Sequence, residues 1–368
     1  MKLATLKDGS RDGRLAVVSR NLQQACFAGP IAPTMRHAIE AWEATQPRLL
    51  ALYEQLNAGH ASDSFAFDPA QAMAPLPRTF QFIDASAFLN HGRIMQKASG
   101  AKSGLAPGDF ILVPRQADDF RGPVDDYEFP SEEDQCDFEG EFAVITGDIA
   151  MGASAEQALA QVRLVMMMND ISMRRFTRKE LQIGFGLIRT KSATVFSPVA
   201  VTTDELGDAW SDGRVHLDLH VLRNGAWFGN PNGREMDFTL GEIMAHIAYN
   251  RRIGAGFVLG TGTVSNAEHE RVGSACLAER RALEIIKDGA PTTPWMQYGE
   301  SLRFDARGAE GGSVFGAIDI KFVQAASAAL ALGRCRLDEV GAVGEDVAHL
   351  AVVPGTQAEC YRTGRLQP

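Results

Sequence analysis

The sequence predicts an α+β protein that is mainly β, with a small leading domain that contains both helix and strand. From about residue 80, turn residues recur roughly every eight to fifteen positions between short β-rich runs. Asn224-Gly225 lies between two alternating runs, as in a hairpin turn. Ser154 with Gln157, and Thr239 with Glu242, have the spacing of capping boxes that begin helices. Short strands with a few interspersed helices are therefore expected.

The leading domain is predicted to span residues 1–78. Its first segment alternates like two short strands around the turn DGSRDG, and a helical pattern follows from Met35 to Leu56. We expect Pro47 to break that helix, because proline lacks the backbone donor that a helix interior needs. The loop FDPAQAMAPLPRTF, with three prolines, is the expected boundary. A larger domain over 79–323 follows, and segment 324–368 lacks strand alternation and motifs, so it stays unassigned.

Composition narrows the class of protein. A formal charge of −10, a pI near 5.4 and the absence of a Lys/Arg-rich run argue against nucleic acid or an anionic membrane as partner. No run approaches the roughly 20 apolar residues of a membrane span, and the N-terminus lacks the apolar core of an export signal, so a cytoplasmic location is expected. The scattered cysteines, without metal-site spacing, are expected to be reduced thiols. A small-molecule enzyme fits these properties.

An acidic strand is the first candidate for a functional site. Residues 136–148 read CDFEGEFAVITGD, and period-two alternation places Asp137, Glu139 and Glu141 on one face. Glutamates about 7 Å apart on one face repel each other and are costly to bury unless a cation lies between them. A divalent metal would meet that need. A half-exposed strand with an ordinary solvated polar face explains these residues equally well.

Two further carboxylates follow apolar runs. In LVMMMNDISMRRF the apolar run stops at Asn169-Asp170, as expected if a buried strand delivers Asp170 to a pocket. In FQFIDASAFLNHGRI, Asp84 ends an apolar stretch and His91 follows seven residues later. Each aspartate has an alternative explanation as a helix cap or turn residue. Four carboxylates without cysteine would suit a hard cation such as Mg²⁺, Ca²⁺ or Mn²⁺.

Four segments together carry a resemblance to a known family. DFEGEFAVITG, MMNDISMR, RTKSATVFSPV and GTGTVSN occur in the order and at roughly the spacing of the fumarylacetoacetate hydrolase family. The resemblance covers residues from about 80 to 323, and the compact bacterial members have a similar small leading domain. It implies a mixed β-sandwich or β-roll catalytic domain beside the leading domain, and a homodimer as the usual assembly.

The resemblance also implies roles for individual residues. The metal ligands would be Asp84, Glu139, Glu141 and Asp170. His91, by its distance from Asp84, matches the family's catalytic histidine, which removes a proton from water. Lys191 in TKSA matches a lysine close to the metal and the substrate oxygen, and Glu279 matches the glutamate that orients the histidine, with local spacing shifted by two residues. A structural histidine, a surface lysine and a surface glutamate are the alternatives.

Substrate contacts follow less directly. Arg174, four residues after Asp170, would lie one helical turn on and hold a substrate carboxylate with its guanidinium. Thr263 lies in the glycine-rich LGTGTVSN, where the backbone can approach a ligand closely. Ser86 stands where the vertebrate-type enzymes have a substrate-binding tyrosine. The helix after Asp170 lacks the family's substrate-contacting glutamine and tyrosine.

The implied reaction is hydrolysis of a carbon-carbon bond in a β-diketo acid. Fumarylacetoacetate, cleaved to fumarate and acetoacetate in tyrosine and phenylalanine catabolism, is the first candidate substrate, and no organic cofactor is needed. Acylpyruvate hydrolysis, oxaloacetate decarboxylation and 2-oxoalkenoate hydration use the same kind of site on an oxo acid. A metal-stabilised binding protein without activity is the alternative from another class.

Overall fold

The computed structural model describes residues 1–100 and 108–326, and Met1–Ala326 form one compact unit. The strands in this part of the chain are β1 (Lys2–Leu6), β2 (Arg14–Val18), β3 (Gln24–Phe27), β4 (Phe65–Ala66), β5 (Phe82–Ala85), β6 (Leu112–Arg115), β7 (Tyr127–Phe129), β8 (Cys136–Asp137), β9 (Gly140–Thr146), β10 (Val162–Asn169), β11 (Ser172–Met173), β12 (Val195–Phe196), β13 (Ala200–Val201), β14 (Trp210–Ser211), β15 (Arg214–Val215), β16 (Leu219–Arg223), β17 (Ala226–Gly229), β18 (Val258–Gly260), β19 (Ser301–Ala306) and β20 (Ile318–Gln324).

Helices connect these strands. In chain order they are α1 (Met35–Glu40), α2 (Trp42–Asn57), α3 (Leu89–Ser99), α4 (Ala155–Leu159), α5 (Arg174–Ile183), α6 (Thr203–Leu206), α7 (Leu240–Ile247), α8 (His269–Val272) and α9 (Leu277–Asp288). The fold class predicted from the sequence, α+β and mainly β, is confirmed.

Two mixed sheets organise the strands. The larger has eleven strands in the order β4-β3-β2-β1-β13-β10-β9-β18-β5-β6, with β12 also paired to β10, and the second has five in the order β17-β16-β19-β20-β7. Within these sheets β18 runs parallel to β5 and β20 parallel to β7, and the other pairs are antiparallel. Strand β1 pairs with β13, so the leading strands belong to the same sheet as strands from later in the chain.

Most of the local predictions are confirmed. β1 and β2 pair around the DGSRDG turn. Asn224 and Gly225 have φ of 53° and 75°, as a tight two-residue hairpin turn requires. Both capping boxes are present, at the start of α4 and α7.

The predicted helix break at Pro47 is wrong. The pattern from residue 35 to 56 breaks at Ala41 instead, which has φ −114° and ψ 33° and lies between α1 and α2. Pro47 is inside α2, in the second turn, and the helix continues to Asn57. At the α1–α2 junction, Thr45 in the first turn of α2 donates its hydroxyl to the carbonyl of Ala38 over 2.8 Å.

Two apolar cores cover the faces of the larger sheet. One core contains Phe142 and Val144 of β9 together with residues of the second sheet, and the other contains Ala143 and Ile145 of β9 together with residues of α1 and α2. Strand β9 is therefore buried on both faces, and the explanation of Glu139 and Glu141 as a half-exposed polar face is wrong: the two are 5% and 0% exposed. Charge at this strand must be compensated inside the protein.

Among the described residues, no helix is long and apolar enough to cross a membrane. Cys26, Cys136 and Cys276 are buried free thiols, as expected. The predicted tail 324–368 lies outside the described residues beyond position 326. The predicted boundary near residue 78 stays a prediction.

Candidate metal centre and active site

Three buried carboxylates meet at one edge of the larger sheet. Asp84 is the third residue of β5, Glu141 the second of β9, and Asp170 directly follows β10. One carboxylate oxygen from each lies within 4.8 Å of the other two. The register explains the meeting: β9 pairs antiparallel with β10 so that Met168 faces Glu141, and β18 lies between β9 and β5. We call these three residues the acidic triad.

Glycines on and after β18 make room for the triad. A Cβ at Gly260 would lie 2.5 Å from Oδ1 of Asp84 and 3.3 Å from Oε2 of Glu141, so a side chain there would displace the carboxylates. Gly262 has φ +80° and turns its N–H between the same two groups, donating to Asp84 over 3.1 Å and to Glu141 over 2.9 Å. The glycine-rich segment noted in the sequence therefore builds the floor of the site.

The groups around the acidic triad do not supply enough positive charge to balance its carboxylates. Burial, followed by the negative charges of its neighbours, raises the pKa of Asp84 to about 7 and that of Glu141 well above its ordinary value. Oε1 of Glu141 is buried and has no hydrogen-bond partner among the described residues. Three oxygen donors, an unpaired carboxylate oxygen and a shortage of positive charge fit a hard divalent cation.

Glu139, the fourth predicted ligand, lies outside the triad. Its Oε1 accepts hydrogen bonds from Ser172 over 2.6 Å, Arg174 over 2.6 Å and Lys191 over 2.9 Å, and its Oε2 accepts one from Thr263 over 2.5 Å. Burial alone would raise the pKa of this carboxyl, but these cations and hydroxyls hold it well below its ordinary value. Three of these hydrogen bonds go to Oε1 and only one goes to Oε2, so Oε2 keeps a lone pair that could bind a metal.

Two buried cations hold Asp170. Lys191 bridges Oδ2 of Asp170, over 2.5 Å, and Oε1 of Glu139. Burial acts to lower the pKa of the Lys191 ammonium, but the carboxylates of Asp170 and Glu139 outweigh it and raise that pKa. Arg115, at the end of β6, donates its Nη2 to Oδ1 of Asp170 and to Oγ1 of Thr194. The surface alternative for Lys191 is wrong, since the residue is 5% exposed.

Sequence reasoning missed Arg115. Its side chain is fully buried, and its Nε and Nη1 atoms are without partners in the part of the chain that the structure describes. The signal available in the sequence was its position at the end of the β-rich run LVPR. In the sheet, Arg115 pairs with Phe82, two residues before Asp84. An arginine at the end of one strand does not by itself distinguish a buried ion pair from an exposed one.

His91 and Glu279 form a second cluster. Helix α3, which carries His91, is the next element after β5 and begins at Leu89. Nδ1 of His91 lies 2.9 Å from Oε2 of Glu279 on α9. Glu279 is 0% exposed, so the alternative of a surface glutamate is wrong. The pair lies close to the acidic strand, because Cys276, which precedes α9, forms a β-bridge with Glu139. Glu279 thus orients an imidazole whose other ring nitrogen is not used in this contact.

The three predicted substrate contacts occupy different settings. Arg174 donates its Nε to Asp137 over 2.8 Å and its Nη2 to Glu139. Thr263 is 5% exposed, and its hydroxyl is donated to Glu139. Ser86 is half-buried and lies beside Gly262, at the floor of the site: a Cβ added to Gly262 would lie 3.0 Å from the Cα of Ser86. These substrate-binding roles stay predictions.

The local geometry around Asp170 differs from the sequence argument. Asp170 precedes the short strand β11, and α5 begins at Arg174 with Met173 as its N-cap. Asp170 is therefore not a helix cap, and Arg174 does not lie one helical turn after it. Arg174 reaches Glu139 because β11 pairs with β8, which places the start of α5 beside the acidic strand. Asp84 is likewise in a strand and not in a turn.

Two family models match the sequence. Residues 81–319 match the fumarylacetoacetate hydrolase C-terminal family, and residues 1–78 match the fumarylacetoacetase N-terminal domain 2. Since the first match alone covers more than half of the chain, the protein belongs to the fumarylacetoacetate hydrolase family.

Individual relatives include hydrolases of several substrates. The 2,4-didehydro-3-deoxy-L-rhamnonate hydrolase of Sphingomonas sp. (strain SKA58) is 28% identical over 160 residues, which are 43% of this chain and 53% of that protein. The chain thus matches about half the length of its curated relatives. Among solved structures, maleylpyruvate hydrolase from Sphingobium sp. SYK-6 is 16% identical with a TM-score of 0.58, covering 88% of this chain and 100% of that one. Fumarylacetoacetate hydrolase from Exiguobacterium antarcticum is 18% identical with a TM-score of 0.57, at the same coverage. At these identities the structures show a shared fold.

Proposed function

We propose that the protein is a divalent-metal-dependent hydrolase that cleaves a carbon-carbon bond in a β-diketo acid. The observation that carries the proposal is the pairing of two clusters: the buried acidic triad and the His91–Glu279 hydrogen bond on the helices beside it. A cation site alone would serve many oxo-acid reactions. A histidine oriented by a buried glutamate adds a group suited to activating water.

The proposed metal ligands are Asp84, Glu141 and Asp170, with Glu139 as the fourth predicted ligand. The charge shortage of the triad and the unpaired oxygen of Glu141 support a cation there. Mg²⁺ or Ca²⁺ is proposed, with Mn²⁺ also suitable for oxygen ligands. The Sphingobium maleylpyruvate hydrolase, which shares the fold, has been solved in complex with manganese (II) ion and pyruvate. When bound, the metal would act as a Lewis acid on the substrate's keto oxygen.

The chain's own residues account for the proton transfers. The Glu279 carboxylate accepts a hydrogen bond from Nδ1–H of His91, so Nε2 carries the lone pair that accepts a proton from water. The water oxygen bonds to a keto carbon, the adjacent carbon-carbon bond breaks, and its electron pair forms an enolate. His91 returns the proton to the enolate carbon. The Lys191 ammonium, fixed between Asp170 and Glu139, offsets negative charge that develops on the enolate oxygen.

Ser86, Arg174 and Thr263 are proposed to contact the substrate. Nε and Nη2 of Arg174 bind Asp137 and Glu139, so Nη1 is the atom proposed to meet a substrate carboxylate. Fumarylacetoacetate and acylpyruvates share the carboxylate and the cleavable diketone that this arrangement requires. The His91–Glu279 pair favours hydrolysis over oxaloacetate decarboxylation, because decarboxylation needs no water nucleophile.

A homodimer is proposed from an exposed apolar segment beside the site. At the end of α5 and in the segment that leads to Lys191, four apolar side chains are 64%, 55%, 94% and 67% exposed: Leu181, Ile183, Phe185 and Ile188. Such a concentration of exposed apolar side chains is typical of an interface. Sedimentation equilibrium should give the mass of two chains, and a Phe185→Asp variant should shift the species toward one chain. A wild-type protein that sediments as one chain at all concentrations would remove this part of the proposal.

Turnover of a substrate panel tests the proposed function. Protein stripped with chelator would be reloaded with Mg²⁺, Ca²⁺ or Mn²⁺ and offered fumarylacetoacetate, maleylpyruvate and oxaloacetate. Ultraviolet absorbance reports loss of the conjugated diketone, and NMR identifies the products. We expect metal-dependent cleavage of at least one diketo acid into two acids. Decarboxylation of oxaloacetate without any diketo-acid hydrolysis, or no metal-dependent turnover at all, would overturn the proposal.

A further inference from the structure

We infer that Asp137 is a positioning residue, which ties the acidic strand to the helix that holds Glu279 against His91. The inference rests on the proposed function, since it assigns a task to a residue that acts through the proposed catalytic pair. Asp137 belongs to neither the acidic triad nor the His91–Glu279 pair. It is nevertheless fully buried, at 0% exposure, and its carboxylate has contacts on two sides.

On one side, Asp137 binds the first turn of α9. Its Oδ1 accepts the N–H of Leu277 over 2.8 Å, and its Oδ2 accepts the N–H of Ala278 over 3.1 Å. These are two of the backbone donors that a helix leaves without intrahelical partners. The next residue of the same turn is Glu279, whose own N–H is donated to the sulfur of Cys276, a weak acceptor. The two strong hydrogen bonds of this turn are therefore accepted by Asp137, which lies on strand β8.

On the other side, Asp137 binds the arginine that also binds Glu139. Nε of Arg174 donates to Oδ2 of Asp137 over 2.8 Å, and Nη2 donates to Oε1 of Glu139 over 2.6 Å. The guanidinium of Arg174 and the positive end of α9 partly offset the cost of burying this carboxylate. One carboxylate thus fixes α9 relative to the strand that leads into Glu141.

This geometry matters because, among the described residues, one hydrogen bond joins the side chains of the pair. Glu279 reaches His91 through one hydrogen bond of 2.9 Å between α9 and α3. A displacement of about 1 Å at the start of α9 would lengthen that bond beyond its useful range and misorient the imidazole. Loss of Asp137 should therefore impair the proton transfer more than the binding of substrate or metal.

The first test uses Asp137→Asn, which keeps the size of the side chain but removes its charge and one acceptor. We expect kcat on the diketo acid identified above to fall about 10- to 100-fold, with the metal Kd within about threefold of wild type. KM should rise by a smaller factor than kcat falls, because Arg174 keeps its hydrogen bond to Glu139. Asp305→Asn is the matched control: Asp305 is also buried and binds an arginine and a hydroxyl, Arg307 and Ser313. That control should leave kcat within about threefold of wild type.

A double-mutant cycle separates positioning from a merely structural role. If Asp137 acts through Glu279, Asp137→Asn should lower kcat less than about threefold in a Glu279→Gln background, since the contact that it supports is already lost. Equal fold-losses in the two backgrounds would overturn the inference. A metal Kd raised more than tenfold would do so too, because the effect would then run through Arg174 and Glu139.

A third readout does not depend on turnover, so it distinguishes failure of this inference from failure of the proposed function. In ¹H–¹⁵N NMR of the imidazole groups, the Nδ1–H resonance of His91, assigned by its absence in His91→Gln, should be observed in wild type and in Asp305→Asn. It should be lost or broadened by solvent exchange in Asp137→Asn and in Glu279→Gln. An unchanged resonance in Asp137→Asn would overturn the inference even if every substrate test succeeded.

Discussion

Glu139 and Glu141 are two residues apart in the sequence, yet replacing each by glutamine should have opposite effects on stability. From the sequence alone, either change relieves repulsion and should leave the metal-free protein no less stable. The structure separates them. Glu139 is bound by the two cations Lys191 and Arg174 and by two hydroxyls, whereas Glu141 accepts a hydrogen bond from the N–H of Gly262 and faces other carboxylates.

The contacts give the size of each effect. The side chains of Glu139, Lys191 and Arg174 are 7%, 7% and 18% exposed, so Glu139→Gln breaks buried ion pairs and should lower the free energy of unfolding by about 3–5 kcal/mol. Glu141→Gln removes a carboxylate whose neighbours are negative. The metal-free variant should be as stable as wild type or more stable.

Urea unfolding in chelator and in saturating Mg²⁺ measures both effects. Wild type should gain about 2.7 kcal/mol at a metal concentration of 100 times Kd. Glu141→Gln should lose most of that gain, and Glu139→Gln should unfold at lower urea in both conditions. A Glu139→Gln protein as stable as wild type in chelator, or a Glu141→Gln protein with the full metal gain, would refute the reasoning.

Three further predictions concern the triad. Because the pKa of Asp84 is raised to about 7 and that of Glu141 is raised well above its ordinary value, metal binding at pH 7 should release protons, measured by calorimetry in buffers of different ionisation enthalpy. In metal-free protein, the carboxyl of Asp84 binds its proton more tightly in the folded state than in the unfolded state. Its contribution to the free energy of unfolding should therefore fall as pH rises from about 4 to about 7. The urea midpoint should fall less over this pH range in Asp84→Asn than in wild type. Gly260→Ala should weaken metal binding at least about 10-fold by calorimetry, because its Cβ meets Asp84, whereas Gly254→Ala, with open space around it, should not. The first prediction is contradicted if metal binding releases no proton, and the second if the stability of the metal-free protein rises with pH over this range. The third is contradicted if Gly260→Ala and Gly254→Ala have equal effects on metal binding.

Local pattern predicted much of the fold and part of the site. Capping boxes, the Asn224-Gly225 turn and the apolar run before Asp170 are encoded within a few residues, and the structure has all three. Pro47 shows the limit of this reasoning. Its helix continues to Asn57, and the break lies at Ala41, where the sequence carries no proline or glycine to predict it.

The parts that local pattern could not give depend on contacts between distant segments. His91 and Glu279 are 188 residues apart in the chain, and only the packing of α3 on α9 joins them. The donors that surround Glu139 come from three separate segments, and their positions follow from strand register. Arg115 belongs to the same class, because its burial depends on the pairing of β6 with β5.

Turnover and metal binding of a His91→Ala variant, measured together, test the central claim most directly. A general base typically contributes about 10²- to 10⁴-fold, so kcat on the diketo acid should fall at least about 100-fold. The metal Kd from calorimetry should stay within about threefold of wild type, since His91 contacts Glu279 and not the acidic triad. Near-wild-type turnover in His91→Ala would contradict the account, because another group would then have to take the proton from water.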